Sequence, residues 1–315
     1  MMTDAIAKII PIILLVSLGY LIRYRHWAND DHMATIKKGI FDLALPAVLF
    51  ISFKDMTLKK EQLLVTLVFF LMMLIVYGVA KFVSRWVKEY GDLVPFVCTG
   101  MAFGVLGVPL YAAVYGLENI GVISIFGVGH ETFVWFVYLT LLRKQFNGEK
   151  FGIATLKNFI KSPVIIAILL GVMVNLFGLA IFFEKNVFLK GLALTLESLG
   201  SVTTPLIFIV VGYGIHLEKA FIWPAIKLVA IRYAVLIPVS YLVKFFVMDR
   251  VVGAVTPLYN MAFFTFMTLS PPYVSAILID LYSTKENGYV ANNVIVISTI
   301  FAVIIMSLAA IFMPV

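Results

Sequence analysis

Apolar runs of about 20 residues follow one another along almost the whole chain, separated by short polar connections. An α-helix of that length is needed to cross a hydrocarbon core of about 30 Å. The composition agrees, because 62% of the residues are hydrophobic and 13% are charged, whereas roughly 25% are charged in soluble domains. The sequence therefore predicts an all-α polytopic membrane protein that resides in the lipid bilayer, without a soluble domain.

The runs predict ten transmembrane spans, at residues 3–25, 34–53, 62–86, 92–115, 119–143, 161–182, 190–215, 220–246, 256–281 and 289–313. The first span is not expected to be a cleaved signal peptide. Its basic residues, Arg23 and Arg25, follow the apolar run, whereas a signal peptide carries them before it. We expect this span in the mature protein.

The basic residues predict the orientation of the spans. Connections after the odd-numbered spans carry fourteen Lys and Arg residues, and the other side carries seven. The richer side is expected to be cytoplasmic, which places both termini outside the plasma membrane. Because the basic residues lie in these short connections, the net charge of +7 does not indicate nucleic-acid binding.

A long basic connection divides the chain into residues 1–150 and 151–315, with five predicted spans in each half. An odd number of spans per half means that the halves insert with opposite orientations. Prolines recur in corresponding spans of the two halves, as the pairs Pro11 and Pro163, Pro46 and Pro205, and Pro109 and Pro272. This order predicts two inverted five-helix repeats.

Two helix-breaking stretches interrupt predicted spans 4 and 9, namely residues 104–109 (GVLGVP) and 270–272 (SPP). Irregular backbone at membrane depth is tolerated inside protein or beside a water-filled cavity, and paired interruptions point to a transporter's binding site. In the predicted topology, the second half of each helix directs its N-terminal end to the midplane, which favours a carboxylate. We therefore interpret Gly104, Gly107, Pro109, Pro271 and Pro272 as substrate-binding. The alternative is that the glycines permit close packing and the prolines kink the helices.

The ordered motifs resemble those of the auxin efflux carrier family of secondary transporters. They are FDLALPAVLF at 41–50, GVLGVPL at 104–110 with Tyr115 and Gly116, the stretch from Pro163 to Gly171 with Asn175, TTPL at 203–206 with Gly212, and Pro271 and Pro272 followed by Ser298 and Thr299. The match covers most of the chain. The short loops resemble the bacterial, malate- or malonate-permease-like members.

The resemblance implies that spans 4 and 9 are broken and cross at the midplane. It also implies a scaffold of spans 1, 2, 6 and 7, often a homodimer interface, and a mobile transport domain of spans 3–5 and 8–10. Many relatives carry asparagines, thought to touch substrate, where this chain has Ala102 and Ser275. These two residues and Ser270 are included in the expected substrate site, and the departures leave the substrate's identity open.

Ionisable residues inside apolar spans are costly, by at least about 2.5 kcal/mol, and usually mark a transport path. His130 and Glu131 lie at the centre of span 5; Glu131 is interpreted as a proton-coupling carboxylate and His130 as a relay or substrate donor. Arg232 in span 8 either pairs with Glu131 or holds the substrate carboxylate. Asp42 is a second candidate for proton coupling, or it satisfies backbone groups near Pro46.

These features predict a secondary active transporter of a small organic anion, such as malate, malonate or an auxin-like acid. It would work by elevator-like or rocking alternating access, with H⁺ or Na⁺ as candidate coupling ions. A channel or ligand-binding membrane sensor on the same fold is the alternative. No enzyme activity, cofactor or metal site is expected, because no nucleophile elbow, phosphate-binding loop or metal-ligand spacing is present. The single cysteine, Cys98, excludes internal disulfides.

Overall fold

The computed structural model describes residues 2–55, 60–147, 161, 163–215 and 217–313, and within these ranges the regular secondary structure is helical. Five helices are long and apolar enough to cross a membrane: Leu63–Trp86, Leu117–Phe146, Val187–Tyr213, Lys219–Val252 and Lys285–Phe312. Two shorter apolar helices are Ile10–Tyr24 and Ile165–Leu176. The prediction of an all-α membrane protein is confirmed.

The first half of the chain contains eight α-helices in its described part. They are α1 (Met2–Tyr24), α2 (Asp30–Gly39), α3 (Leu45–Asp55), α4 (Lys60–Val83), α5 (Val94–Cys98), α6 (Val108–Tyr115), α7 (Ile120–Phe133) and α8 (Leu139–Asn147). Single π-helical turns join α2 to α3 (Ile40–Ala44), lead into α6 (Phe103–Gly107) and join α7 to α8 (Val134–Tyr138).

The second half contains nine α-helices in its described part. They are α9 (Pro163–Leu176), α10 (Ala180–Lys185), α11 (Val187–Ser201), α12 (Thr203–Tyr213), α13 (Ile222–Val243), α14 (Asp249–Val252), α15 (Pro257–Thr268), α16 (Tyr273–Tyr282) and α17 (Lys285–Phe312). A π-helical turn, Lys244–Met248, joins α13 to α14.

Several helices begin where the local sequence provides a cap. The Thr256 side chain accepts a hydrogen bond from the backbone N–H of Tyr259, and Pro257 occupies the first turn of α15. The Thr284 side chain caps α17 in the same way. Such side chains satisfy backbone donors that have no partner within the helix.

Two intervals lack helical backbone in the spans that were predicted to be broken. The second interval, residues 269–272 between α15 and α16, contains the predicted Ser270, Pro271 and Pro272. The first interval comprises residues 99–102, between α5 and the π-helical turn, so the prediction of a break at 104–109 is wrong by a few residues. Instead, Gly104 and Gly107 lie in the π-helical turn, and Pro109 lies in the first turn of α6.

The position of the first break has a local cause. The Thr99 hydroxyl donates a hydrogen bond to the carbonyl of Pro95 at 2.5 Å, which ends α5. Gly100 then adopts a φ of +69°, a conformation that glycine reaches without steric cost. Pro109 does not break the helix, which continues from the π-helical turn Phe103–Gly107 through Pro109 to Tyr115.

The helices pack mainly in two sets. In one set, α1 lies against α12, and α3 lies against α9 and α11. The other set includes the pairs α4 with α7, α13 with α5, α15 with α7, α16 with α17, α13 with α17, and α16 with α8. Contacts between the sets include α1 with α17 and α12 with α6.

Two glycines bring helix pairs of the first set into backbone contact. Gly19 of α1 faces the carbonyl of Ile209 in α12, and Gly171 of α9 faces the carbonyl of Phe50 in α3. Gly171 follows Gly19 by 152 residues, and Ile209 follows Phe50 by 159 residues. These offsets equal those of the proline pairs in spans 1 and 6 and in spans 2 and 7.

Two side-chain hydrogen bonds repeat with the same offsets. Arg23 at the end of α1 donates to the carbonyl of Tyr213 at 3.1 Å, and Asn175 at the end of α9 donates to the carbonyl of Lys54 at 2.9 Å. Asn175 follows Arg23 by 152 residues, and Tyr213 follows Lys54 by 159. The α1–α12 and α9–α3 contacts therefore correspond residue by residue.

Candidate functional site

The two breaks in the helices are hydrogen-bonded to each other. The backbone N–H of Ala102 donates to the carbonyl of Ser270 at 2.9 Å. A Cβ atom on Gly100 would lie 3.0 Å from the Pro272 ring, so the absence of a side chain brings the breaks together. Ala102 and Ser270 are buried. We call the contact between residues 99–102 and 269–272 the crossing.

Arg232 of α13 joins the two halves of the crossing. Its Nη1 donates to the carbonyl of Val97, and its Nη2 donates to the carbonyls of Gly100 at 3.3 Å and Leu269 at 2.8 Å. These carbonyls lie at the C-terminal ends of α5 and α15, where helix dipoles are negative. The fully buried guanidinium therefore offsets the negative ends of both helices that enter the crossing.

The predicted ion pair between Arg232 and Glu131 is wrong. Within the described part of the chain Arg232 has no ion pair, and both of its Nη atoms donate to backbone carbonyls. Three of the five N–H donors of the guanidinium are thus used by backbone carbonyls. Arg232 therefore holds the two halves of the crossing in position. The sequence does not predict this role, because every residue has a backbone carbonyl and residue types do not show which carbonyls act as acceptors.

His130 connects the crossing to Glu131. Its Nε2 lies 2.7 Å from the backbone nitrogen of Met101, and its Nδ1 lies 3.2 Å from Glu131 Oε1. A backbone N–H can only donate, so Nε2 must be the unprotonated acceptor. The proton of the neutral ring is then on Nδ1, directed at the carboxylate. The His130 side chain is 1% exposed, whereas the Glu131 side chain is 15% exposed.

Aromatic rings surround the imidazole. Phe103 and Phe266 stack with ring centroids 5.2 Å apart, and the His130 centroid lies 6.3 Å from that of Phe103 and 5.6 Å from that of Phe266. Phe126 contacts Phe266 on the same side. Apolar surroundings strengthen electrostatic interactions, so a charge change on His130 has a large local effect.

The helices that leave the crossing begin without a side-chain cap. The π-helical turn Phe103–Gly107 starts after Ala102, and α16 starts after Pro272, and neither start has a side-chain cap hydrogen bond. The Ser275 hydroxyl donates back to the carbonyl of Pro272 at 2.5 Å. Among the described residues, the positive dipole ends of the leaving helices therefore have no side-chain cap, while Arg232 offsets the negative ends of the entering helices. This charge distribution favours an anion.

A groove lies beside the crossing, between α1, α12 and α17. It has a volume of about 290 Å³ and is lined by apolar side chains together with Ser17 and Thr299. The Thr299 hydroxyl is 2.9 Å from the hydroxyl of Tyr273, the first residue of α16. Thr299 therefore links the groove to the first residue of α16.

Comparison with known sequences identifies the class of protein. The family described as "Membrane transport protein" matches residues 4–310. The chain belongs to this family, the auxin efflux carrier family. An uncharacterized transporter of Methanothermobacter thermautotrophicus is 26% identical over 216 residues, which are 66% of this chain and 67% of that protein. The predicted resemblance is confirmed.

Most of the predicted site residues of this auxin efflux carrier family member lie at or beside the crossing. Ala102, Ser270, Pro271, Pro272 and Ser275 form its buried segments or flank them. Gly107 packs against Leu269, since a Cβ on Gly107 would lie 2.7 Å from Leu269 Cδ1. These positions correspond to the breaks that the family resemblance implies.

Other predicted residues serve packing or lie elsewhere. Gly104 permits close approach of Leu45, whose Cδ2 would lie 2.8 Å from an added Cβ, and Pro109 is buried in α6. Asp42 is exposed, in the π-helical turn Ile40–Ala44, and does not join the buried cluster at His130. Sequence reasoning missed Gly100 and Met101; the available signal was a short helix with a proline at its start and a glycine after its end.

Proposed function

We propose that this auxin efflux carrier family member is a secondary active transporter of a small organic anion, a carboxylate such as malate, malonate or an auxin-like acid. The observation that carries the proposal is the charge distribution at the crossing. Arg232 occupies the negative helix ends, and the two uncapped positive helix ends remain for a ligand. Helix N-termini of this kind bind carboxylates and phosphates.

We further propose that the ten spans form two inverted five-helix repeats, residues 1–150 and 151–315. The repeated α1–α12 and α9–α3 contacts support this proposal, because glycine contacts and hydrogen bonds recur at the offsets that the proline pairs predict. The set of α1, α3, α9, α11 and α12 corresponds to the scaffold of spans 1, 2, 6 and 7. The other set corresponds to the transport domain of spans 3–5 and 8–10, which would move by an elevator-like mechanism.

The proposed coupling site is the pair of His130 and Glu131, with H⁺ preferred to Na⁺. A histidine changes charge near neutral pH, and here its ring is hydrogen-bonded both to the crossing and to the carboxylate. A proton on this pair is therefore in a position to alter the backbone of the crossing. Protonation of the exposed Asp42 has no such direct connection.

The proposed oligomer is a homodimer formed through the scaffold helices in the cell membrane. Asp42 and Leu43 are both exposed on the subunit, in the middle of a predicted span. A carboxylate in contact with lipid is unfavourable, whereas a second copy could provide polar contacts. The termini are proposed to face outward, from the distribution of basic residues in the connections.

Reconstitution into liposomes tests the transport proposal. Labelled malonate, malate and indole acetate would be offered with an imposed pH gradient and, separately, with a sodium gradient. Gradient-driven accumulation of one of these acids above its equilibrium level is the expected result. Dissipative flux at channel-like rates would contradict a carrier, and binding without flux would indicate a membrane sensor.

A further inference from the structure

We propose that His130 and the backbone N–H of Met101 form a combined proton and anion site, in which a proton on His130 creates the place where one carboxylate binds. This inference rests on the proposed anion transport and assigns the coupling proton within the His130–Glu131 pair. It makes His130 the proton carrier and Glu131 its counter-charge. The ligand class is a carboxylate taken up together with a proton.

The described conformation shows the unprotonated state. The Met101 N–H occupies His130 Nε2 at 2.7 Å, so neither group is available to a ligand. On the other side of the ring, Nδ1 and Glu131 Oε1 are 3.2 Å apart. The carboxylate thus lies where it stabilises a positive charge on the ring.

Protonation at Nε2 makes this hydrogen bond impossible. Both ring nitrogens of an imidazolium are donors, so Nε2–H and the Met101 N–H would face each other without an acceptor. A carboxylate has two oxygens and can accept one hydrogen bond from each of these donors, and its bond to the imidazolium is charge-assisted. The anion and the proton therefore increase each other's affinity, as reciprocal linkage requires.

The proton balance of this step is simple. A proton from the solution binds Nε2 on the side to which the site is open, and it leaves from the same atom with the anion on the other side. Transport of a monoanion with one proton moves no net charge. A dianion with one proton moves one negative charge.

Met101 lies between the two residues that join the halves of the crossing. The carbonyl of Gly100 accepts from Arg232 at 3.3 Å, and the N–H of Ala102 donates to Ser270. Release of the Met101 N–H therefore acts on the backbone segment that holds both breaks together. This connection gives the proton a route to the conformational change.

Two charged groups bear on the site, Glu131 next to the ring and Arg232 through the carbonyl of Gly100. The other described titratable side chains on helices packed against α7 contact different groups. Three tyrosines pack on other rings, namely Tyr259 on Phe126, Tyr115 on Tyr111 and Tyr77 on Phe96. Two side chains donate hydrogen bonds elsewhere, the Tyr111 hydroxyl to the Leu258 carbonyl and Lys81 to Gln145. Lys54 lies over the Phe183 ring.

Proton uptake during anion binding tests the proposal. The purified protein in nanodiscs, in weak buffer with a pH-sensitive dye, would be titrated with malonate, malate, acetate and indole acetate between about pH 5 and 8. The wild type should take up at most about one proton per anion bound. The number of protons taken up per anion should be smaller where His130 is already protonated before the anion binds. The His130→Gln variant should take up none, because a glutamine can accept the Met101 N–H but cannot be protonated. His32→Gln, at an exposed position of α2, is the matched control.

The possible outcomes separate this inference from the transport proposal. If a carboxylate binds without proton uptake at every pH in this range, or if His130→Gln retains the uptake, the proton is not carried by His130, while anion transport still stands. If none of the four carboxylates binds at any pH in this range, both proposals fail.

Nuclear magnetic resonance of ring-¹⁵N-labelled histidine gives a readout that does not depend on the activity of a variant. His130 should be the Nδ1–H tautomer in the ligand-free protein and doubly protonated in the complex with a carboxylate. An Nε2–H tautomer, or a ring that stays neutral when a carboxylate is bound at acidic pH, would overturn the proposal.

Discussion

The guanidinium of Arg232 is buried without an ion pair among the described residues, yet it donates to three backbone carbonyls from both breaks. Two helix C-terminal ends, each carrying up to about half a negative charge, replace a carboxylate as its partner. An arginine suits this task because its planar fork reaches several acceptors, whereas a lysine is a single point of charge.

Replacement of Arg232 by lysine is therefore expected to destabilise the protein while preserving the charge. Loss of one or two charge-assisted hydrogen bonds, each contributing about 1.5–3 kcal/mol, should lower the thermal unfolding temperature in detergent and the transport rate. Arg85→Lys, at an exposed position after α4, is the control and should change the stability by less than about 0.5 kcal/mol. Wild-type stability and transport in Arg232→Lys would show that the three carbonyl bonds do not hold the crossing.

Glu131 is expected to act as the counter-charge of a protonated His130. Glu131→Gln removes the charge that stabilises a protonated His130, so the affinity for the anion at acidic pH should fall about tenfold, which corresponds to about 1.4 kcal/mol. Anion exchange without a pH gradient should continue, and the response to an imposed gradient should weaken, because His130 can still carry the proton. Glu89→Gln, in an exposed loop, should leave the pH response unchanged. A pH response of Glu131→Gln equal to that of the wild type would remove Glu131 from the coupling site.

The amino-acid sequence predicted the approximate positions of the two breaks, but it did not predict the hydrogen bonds at the crossing. The paired prolines at 271 and 272 located the second break, because proline lacks the donor that a continuous helix needs. Two glycines and a proline predict the first break at 104–109, a few residues from its position in the structure. A π-helical turn accommodates the glycines instead, and Gly100 and Thr99 end the preceding helix. The bonds of Arg232 and His130 use backbone atoms, which no residue pattern reveals.

At the scale of helices, close approach at glycine holds α1 against α12. A Cβ atom on Gly212 would overlap the carbonyl oxygen of Val16, so the two backbones touch at this point. Alanine is the better helix former by about 1 kcal/mol, and in an isolated helix it would therefore be stabilising. Here the overlap with a neighbouring backbone should outweigh that gain.

Gly212→Ala should accordingly lower the free energy of unfolding by about 1–3 kcal/mol, the usual effect of overpacking. Gly191→Ala is a matched control in the adjoining helix α11, because nothing lies within 4 Å of an added Cβ there. It should be neutral or slightly stabilising. Thermal unfolding of both variants in the same detergent provides the comparison, and equal unfolding temperatures would mean that the α1–α12 contact can separate without loss.

The proline spacing predicts that α1 corresponds to α9 and that α3 corresponds to α12. Those offsets reappear in the contacts of Gly19, Gly171, Arg23 and Asn175. The sequence did not predict the π-helical turns, such as Val134–Tyr138 directly after the His130–Glu131 segment. A π-helical turn inserts one residue without a change of composition, so only the packing around it decides its position.

For the molecule as a whole, the basic residues of the connections predict the orientation in the membrane. Lys144 lies in the connection after predicted span 5, on the side predicted to be cytoplasmic, and Lys185 lies between predicted spans 6 and 7, on the side predicted to be external. Both side chains are exposed. The native Cys98 is buried, so an introduced cysteine can be labelled with little background.

Lys185→Cys should react with a membrane-impermeant maleimide in intact cells, whereas Lys144→Cys should react only after the membrane is permeabilised. The wild type, with buried Cys98, measures the background, and a permeant maleimide shows that both introduced cysteines are reactive. The reverse pattern would place the termini in the cytoplasm, and labelling of both sites in intact cells would contradict their location on opposite sides. Because the proposed inverted repeat would present similar crossings to both faces, the reversed orientation would leave the proposed anion site intact and change the side from which it loads.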